Sequence, residues 1–67
     1  MPIVRVHVKT RDHAFNIRNT YGSPASEMFD QQDGSVVLLI ERLNKDNARR
    51  LADKLSNKSN VKSATVQ

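Results

Sequence analysis

The clearest pattern in the chain is a run of five large aliphatic residues from Val36 to Ile40. A strand with one solvent-exposed face alternates apolar and polar residues, whereas both faces of this segment are apolar. Val36, Leu38 and Ile40 point one way, and Val37 and Leu39 point the other way. The run therefore predicts a central strand that is covered on both faces.

The segment after this strand has helical periodicity. Ala48, Leu51, Ala52 and Leu55 fall at positions i, i+3, i+4 and i+7, which places them in one apolar stripe. Asn44 precedes the stripe and is a favourable N-cap residue. The pattern predicts a helix over residues 45–57, packed on one face of the sheet.

Both ends of the chain predict further strands. Residues 3–9 alternate strictly, which indicates a strand with one apolar and one basic face. The apolar face is Val4, Val6 and Val8, and the basic face is Arg5, His7 and Lys9. Residues 61–66 predict a short last strand after the helix.

Residues 11–34 allow two interpretations. Phe15 and Ile17 alternate with polar residues, and we favour a strand over 14–19 that pairs with the first strand. A helix over 13–21, closed by Gly22, is the alternative. Ser23-Pro24 is typical of a helix start, yet the Asp33-Gly34 turn would equally support a hairpin of residues 27–32 with the central strand.

The fold class that follows is α+β in a single domain, residues 1–67. We predict a two-layer sandwich in which about four antiparallel or mixed strands pack against helix 45–57. With the helix at 13–21 and the hairpin, the order becomes β-α-β-β-α-β, which is the ferredoxin-like order. The predicted core is Val4, Val6, Val8, Ile17, Val37, Leu39, Ala48, Leu51, Ala52, Leu55 and Val61.

Composition limits the chemistry that the chain can carry. It has 67 residues, no cysteine and a net charge of +4. No apolar run approaches the roughly 20 residues of a membrane-spanning helix, and we expect a cytoplasmic protein. His7 and His13 lack the third ligand of a metal site, and no nucleophile elbow or glycine-rich phosphate loop is present. We therefore expect no enzyme activity, no cofactor, no metal and no small-molecule substrate.

The N-terminal segment resembles that of one enzyme family. The opening Met1-Pro2-Ile3-Val4-Arg5-Val6-His7-Val8 resembles the start of the small tautomerases of the 4-oxalocrotonate type, which have chains of similar length. The resemblance implies that the amine of Pro2, after removal of Met1, is the catalytic base and that Arg11 orients an acidic substrate. It covers about eight residues, and the family's long first helix is not expected here because Asn16, Asn19 and Pro24 disfavour it.

Basic residues suggest a macromolecular partner instead. A hairpin of residues 3–9 and 14–19 would place Arg5, His7, Lys9 and Arg18 on one outer face, able to meet phosphates. A second basic group, Arg49, Arg50 and Lys54, lies on the helix. Nucleic acid is one candidate partner, although a chain with three aromatic residues offers little for base stacking.

Self-association is the other hypothesis. If helix 45–57 packs on Val37 and Leu39, then Val36, Leu38 and Ile40 need cover from a second copy or a protein partner. Alternatively, Tyr21, Met28 and Phe29 fold back over them. The function that the sequence favours is a small non-enzymatic binding or regulatory protein, acting through a basic, partly apolar surface.

Overall fold

Four strands and two helices form one sheet with one helical layer. The computed structural model describes all residues, 1–67. The elements in chain order are β1 (Ile3–Val8), α1 (Arg11–Tyr21), β2 (Glu27–Asp30), β3 (Val36–Glu41), α2 (Lys45–Ser56) and β4 (Val61–Val66). The strand order in the sheet is β2-β3-β1-β4, and all neighbouring strands are antiparallel. The predicted α+β fold is confirmed, in its ferredoxin-like order.

The first helix occupies the segment for which we favoured a strand, so that prediction is wrong. The side chain of Thr10 caps α1 by accepting a hydrogen bond from the His13 amide, 3.3 Å away. Ala14 and Ile17, one turn apart, are buried against the sheet. Helical spacing of these two residues therefore prevails over the alternation of Phe15 and Ile17.

Gly22 ends α1 by donating its amide hydrogen to the Arg18 carbonyl, at 2.9 Å. A Cβ at this position would lie 2.7 Å from the Ser26 hydroxyl oxygen, so the Ser26 side chain would have to move and would lose its hydrogen bond from the Ser23 amide.

A tight hairpin joins β2 and β3, and the alternative helix beginning at Ser23 does not form. The Gly34 amide donates to the Gln31 carbonyl, and Gly34 has a φ of 88°. This arrangement is a turn followed by a left-handed residue, a common three-residue hairpin loop that favours glycine at its last position. Asp33 and Gly34 therefore form the turn that the hairpin hypothesis predicted.

The helices cover the face of β3 that we had assigned to association. Val36, Leu38 and Ile40 pair with Val8, Val6 and Val4 respectively, so all six side chains lie on one face. They form the core together with Ala14, Ile17, Ala48, Leu51, Ala52, Leu55 and Val61. Tyr21 and Met28 pack against the core from its margin.

The proposed self-association through Val36, Leu38 and Ile40 is therefore wrong, because each is at most 1% exposed within a single chain. The assignment of Val37 and Leu39 to the helix side is wrong for the same reason: they project from the opposite face. The register between β3 and β1 determines which side chains of β3 face the helices. The valines of β1 pair with the even-numbered residues of β3, so both sets lie on the same face.

Helix α2 confirms the prediction of a helix over residues 45–57, and it ends one residue earlier than predicted. The side chain of Asn44 accepts a hydrogen bond from the Asn47 amide at 2.9 Å, and Asn57 is the C-cap. Helix α2 packs on β4 and β1, whereas α1 packs mainly on β3. Neither helix combines the length and the apolar character needed to cross a bilayer.

Candidate binding surface on the open face of the sheet

The sheet face opposite the helices, which we call the open face, is built from two rows of residues that lie side by side across the strands. Directly paired residues in an antiparallel ladder share a face. The first row is Glu27, Leu39, Arg5 and Thr65, and the second row is Phe29, Val37, His7 and Ser63. Neither helix lies over these rows.

Apolar surface is concentrated on the β2–β3 side of the open face. Phe29 is 47% exposed, which is high for an aromatic side chain, and Leu39 is half-buried beside it. Val37 is only 5% exposed although no helix covers it, because its row neighbours Phe29 and His7 enclose it. A shallow depression of about 210 Å³ is lined here by Arg5, Phe29, Gln31, Val37, Leu39 and Gln67.

A chain of polar contacts crosses the sheet next to this apolar area. The Ser35 hydroxyl donates to Asp33 Oδ1 at 2.6 Å, and the Ser35 amide donates to the same oxygen at 3.0 Å. His7 Nε2 lies 2.7 Å from the Ser35 oxygen and is the donor in that contact, because the single serine proton is already directed to Asp33. Lys62 Nζ donates to Asp33 Oδ2 at 3.1 Å.

These contacts set the charge state of Asp33. Hydrogen bonds from the Ser35 hydroxyl and amide, and from the Lys62 ammonium, hold the pKa of the Asp33 carboxyl well below its usual range. Donors that bond to a carboxylate favour its charged form. Asp33 therefore stays ionised under all mild conditions and fixes the hairpin tip to β4.

A serine, a histidine and an aspartate in contact invite comparison with hydrolase triads, but the connectivity differs. In a triad the histidine lies between serine and aspartate, accepts the serine proton and so activates the nucleophile. Here Ser35 lies between the other two, its proton is held by Asp33, and the residue is 1% exposed. The arrangement supports a structural role, in which the β2–β3 hairpin is locked onto β1 and β4.

A bulge in β4 makes the lysine contact possible. Val8 pairs with Val61 and His7 pairs with Ser63, which leaves Lys62 as an extra residue between the two pairs. Bulges redirect side chains relative to the regular alternation of a strand. Lys62 consequently reaches Asp33 across the end of the sheet.

Of the basic residues predicted to bind a partner, the structure brings only two to the open-face rows, Arg5 and His7. Lys9 lies just beyond β1 and donates its amide to the Asn60 carbonyl. Arg18 does not join them, because it belongs to α1, where its guanidinium lies 4.9 Å from the centre of the Phe15 ring. The single basic face predicted for the first hairpin is therefore wrong.

The other predicted residues form a separate basic surface on the helical layer. Arg49, Arg50 and Lys54 are exposed on α2, and the Lys54 ammonium lies 5.4 Å from the Tyr21 ring centre. The structure contains two salt bridges, Arg11–Asp30 and Lys62–Asp33, neither of which involves these three. None of the three is therefore neutralised by an acidic side chain.

Residues of the remaining hypotheses are not brought together. His13 Nδ1 lies 2.7 Å from Thr10 Oγ1, while His7 contacts Ser35, and no cluster of three potential metal ligands occurs. Pro2 and Arg11 lie at opposite ends of β1, roughly 20 Å long for six residues. Arg11 is paired with Asp30, so one chain does not form the site that the tautomerase resemblance implies.

A cleft larger than the open-face depression lies at the end of the sheet where α1 terminates. It has a volume of about 370 Å³ and is lined in part by Tyr21, Ser26, Glu27, Glu41 and Arg42. None of its titratable side chains is hydrogen-bonded to another, so the cleft contains no preformed acid–base pair.

Sequence reasoning missed Glu27 and Phe29 as surface residues of the open face. The signal was the alternation of Glu27, Met28 and Phe29 ahead of the Asp33-Gly34 turn, which indicates a strand with Met28 facing inward. No family model, no curated protein and no solved structure matches this chain.

Proposed function

We propose that the protein is a small, non-enzymatic binding protein of the cytoplasm that docks on a protein surface through the open face of its sheet. The observation that carries this proposal is the placement of both helices on one side. The opposite side retains an exposed Phe29, a half-buried Leu39 and a shallow depression between them.

The composition of the open face supports a protein partner. Binding surfaces are enriched in aromatic residues and arginine, and a few such residues surrounded by polar ones contribute most of the affinity. Phe29 and Arg5 flank the depression, and Thr65, Gln31 and Gln67 provide a polar rim.

The experiment is capture of partner proteins by immobilised protein, comparing Phe29→Ser with the wild type. Leu43→Ser is the matched control, because Leu43 is 79% exposed but lies between β3 and α2, away from the open face. We expect Phe29→Ser to lose the partner and Leu43→Ser to retain it. Equal capture by both variants would exclude the open face as the docking surface.

Nucleic acid is a second candidate because of the basic surface on α2. Arg49, Arg50 and Lys54 are exposed and have no acidic partner, so each is available to a phosphate. Binding by this route would weaken steeply with salt, since each phosphate contact releases counterions.

The two candidates separate in a direct binding assay with duplex and single-stranded oligonucleotides. The triple substitution Arg49→Ala, Arg50→Ala and Lys54→Ala should remove binding, and Arg5→Ala with Lys9→Ala should leave it largely intact. Salt-insensitive association, or equal loss in both variants, would count against a nucleic-acid site on α2. Nuclease treatment in the capture experiment distinguishes the two kinds of partner.

A further inference from the structure

The first row of the open face carries two opposite charges that do not meet within one chain. Glu27 and Arg5 lie on either side of Leu39, two strands apart. Neighbouring strands are about 4.8 Å apart, which separates these two positions by about 10 Å. Both residues are exposed, and neither takes part in a salt bridge.

This arrangement of charges on one copy is complementary to the same arrangement on a second copy. When a second copy is placed face to face about a two-fold axis that runs along β3, Arg5 of each copy faces Glu27 of the other. On the second row, Phe29 faces His7 of the second copy, while Val37 and Leu39 meet their own equivalents. Such an isologous contact forms each charge pair twice.

We propose that the occupant of the open face is a second copy of this chain, packed sheet against sheet about a two-fold axis along β3. This inference rests on the proposed function, because it names the partner for the same surface. It replaces the self-association through Val36, Leu38 and Ile40, whose side chains the helices cover.

The size of the sheet sets the expected strength. Three strands of six residues and one of four give a planar footprint of roughly 350 Å² per copy, or about 700 Å² in total. This is smaller than the roughly 1,000 Å² of a stable interface and is in the range of weak, transient ones. Packed sheets lie about 10 Å apart and cross at about 30°, so contact is closest at the centre, near Val37 and Leu39. We therefore expect a weak, reversible dimer with a Kd in the sub-millimolar range.

The test is charge reversal followed by sedimentation velocity over a range of concentrations. Arg5→Glu and Glu27→Arg each place like charges opposite one another twice in the dimer. We expect either substitution alone to weaken self-association at least about tenfold. An equimolar mixture of the two variants restores both pairs and should form a heterodimer close to wild-type strength, as should the double variant with itself.

A matched control excludes an effect of net charge. Glu41 is not a neutral control, because it lies on the two-fold axis at the end of β3 and faces its own equivalent, which weakens the dimer somewhat. Asp53 is exposed on α2, in the helical layer behind the open face, and takes part in no salt bridge. Asp53→Arg changes the net charge as Glu27→Arg does, so its mixture with Arg5→Glu should not restore the dimer. Circular dichroism confirms that each surface variant remains folded.

Two results would overturn the dimer: a wild-type protein that remains monomeric at millimolar concentration, or equal rescue of Arg5→Glu by Glu27→Arg and by Asp53→Arg. These results are distinct from failure of the proposed function. A monomeric wild type whose capture of another protein still depends on Phe29 retains the docking surface and loses only the second copy as its occupant. A monomer that shows no dependence on Phe29 loses both.

Discussion

The two faces of the sheet are built from the same strands, yet they differ in almost every property. The helix-covered face holds only apolar side chains from β1 and β3, all of them at most 1% exposed. The open face combines an exposed aromatic, two unpaired opposite charges and a hydrogen-bonded polar cluster. A run of aliphatic residues therefore does not by itself specify an interior on both sides of a sheet.

The largest expected difference comes from two adjacent leucines. Leu38 is fully buried beneath the helices, and Leu39 is half-buried on the open face. Leu38→Ala should lower the free energy of unfolding by about 3 kcal/mol, because it leaves a cavity in the core. Leu39→Ala should lower it by about 1 kcal/mol. Urea denaturation measures both, and comparable losses would contradict the assignment of the two faces.

A smaller effect is expected at the hairpin that carries β2. Gly34→Ala should cost about 1–2 kcal/mol, because Gly34 has a φ of 88° and residues with a Cβ rarely adopt that conformation. No atom lies within 4 Å of the added Cβ, so the loss arises from the backbone alone. Gly34→Asn is the control and should cost less, since asparagine tolerates the left-handed region. Equal losses for alanine and asparagine would point to a different cause.

The polar cluster beside the open face should also make stability depend on acid, in a way that the apolar side chains of β1 and β3 beneath the helices do not. Asp33 has a lowered pKa in the folded protein, against a usual value of 3.8. Its contacts therefore stabilise the fold fully above the unfolded-state pKa, and that contribution is lost as the pH falls towards the folded-state pKa.

The stability difference between wild type and Asp33→Asn should thus be constant above about pH 5 and shrink below about pH 4. Urea denaturation at several pH values checks this expectation. A difference that grows on acidification would show that the sign is wrong.

The smallest effect on stability is expected for Phe29→Ser. Because Phe29 is 47% exposed, its removal should change the free energy of unfolding by no more than about 1 kcal/mol. Association through the open face should nevertheless be lost. A large loss of stability would mean that Phe29 belongs to the packed interior rather than to a docking surface.

Much of the fold was predictable because its periodicities are long and uninterrupted. Alternation identified β1, and the 3.6-residue stripe of Ala48, Leu51, Ala52 and Leu55 identified α2. The last strand was predicted from its place after that helix. Helix α1 was not predicted because Phe15 and Ile17 fit the two-residue period of a strand, while Ala14 and Ile17 fit the helical period, and the segment is too short to separate the two. Burial of Ala14 and Ile17 against β3, a tertiary contact, decides between them.

Neither the orientation of β3 nor the polar cluster could be predicted from the local sequence pattern. A period of two separates Val36, Leu38 and Ile40 from Val37 and Leu39, but it does not say which set faces the helices. Pairing with β1 settles this, and that register is a property of the whole sheet. The contact between His7 and Ser35 joins residues 28 positions apart and likewise depends on the register.

The short length of β2 affects how readily the protein can aggregate. One edge of the aliphatic strand β3 is bonded along its full length to β1, but the other is protected only by four residues, three of them exposed. Detachment of β2 alone would leave β3 a free edge strand, and uncharged β-branched segments of this kind stack readily into fibrils. Glu27 and Asp30, at the two ends of β2, place negative charge along that margin and oppose the approach of another chain. Resistance to fibril formation in this protein is therefore governed by its shortest strand.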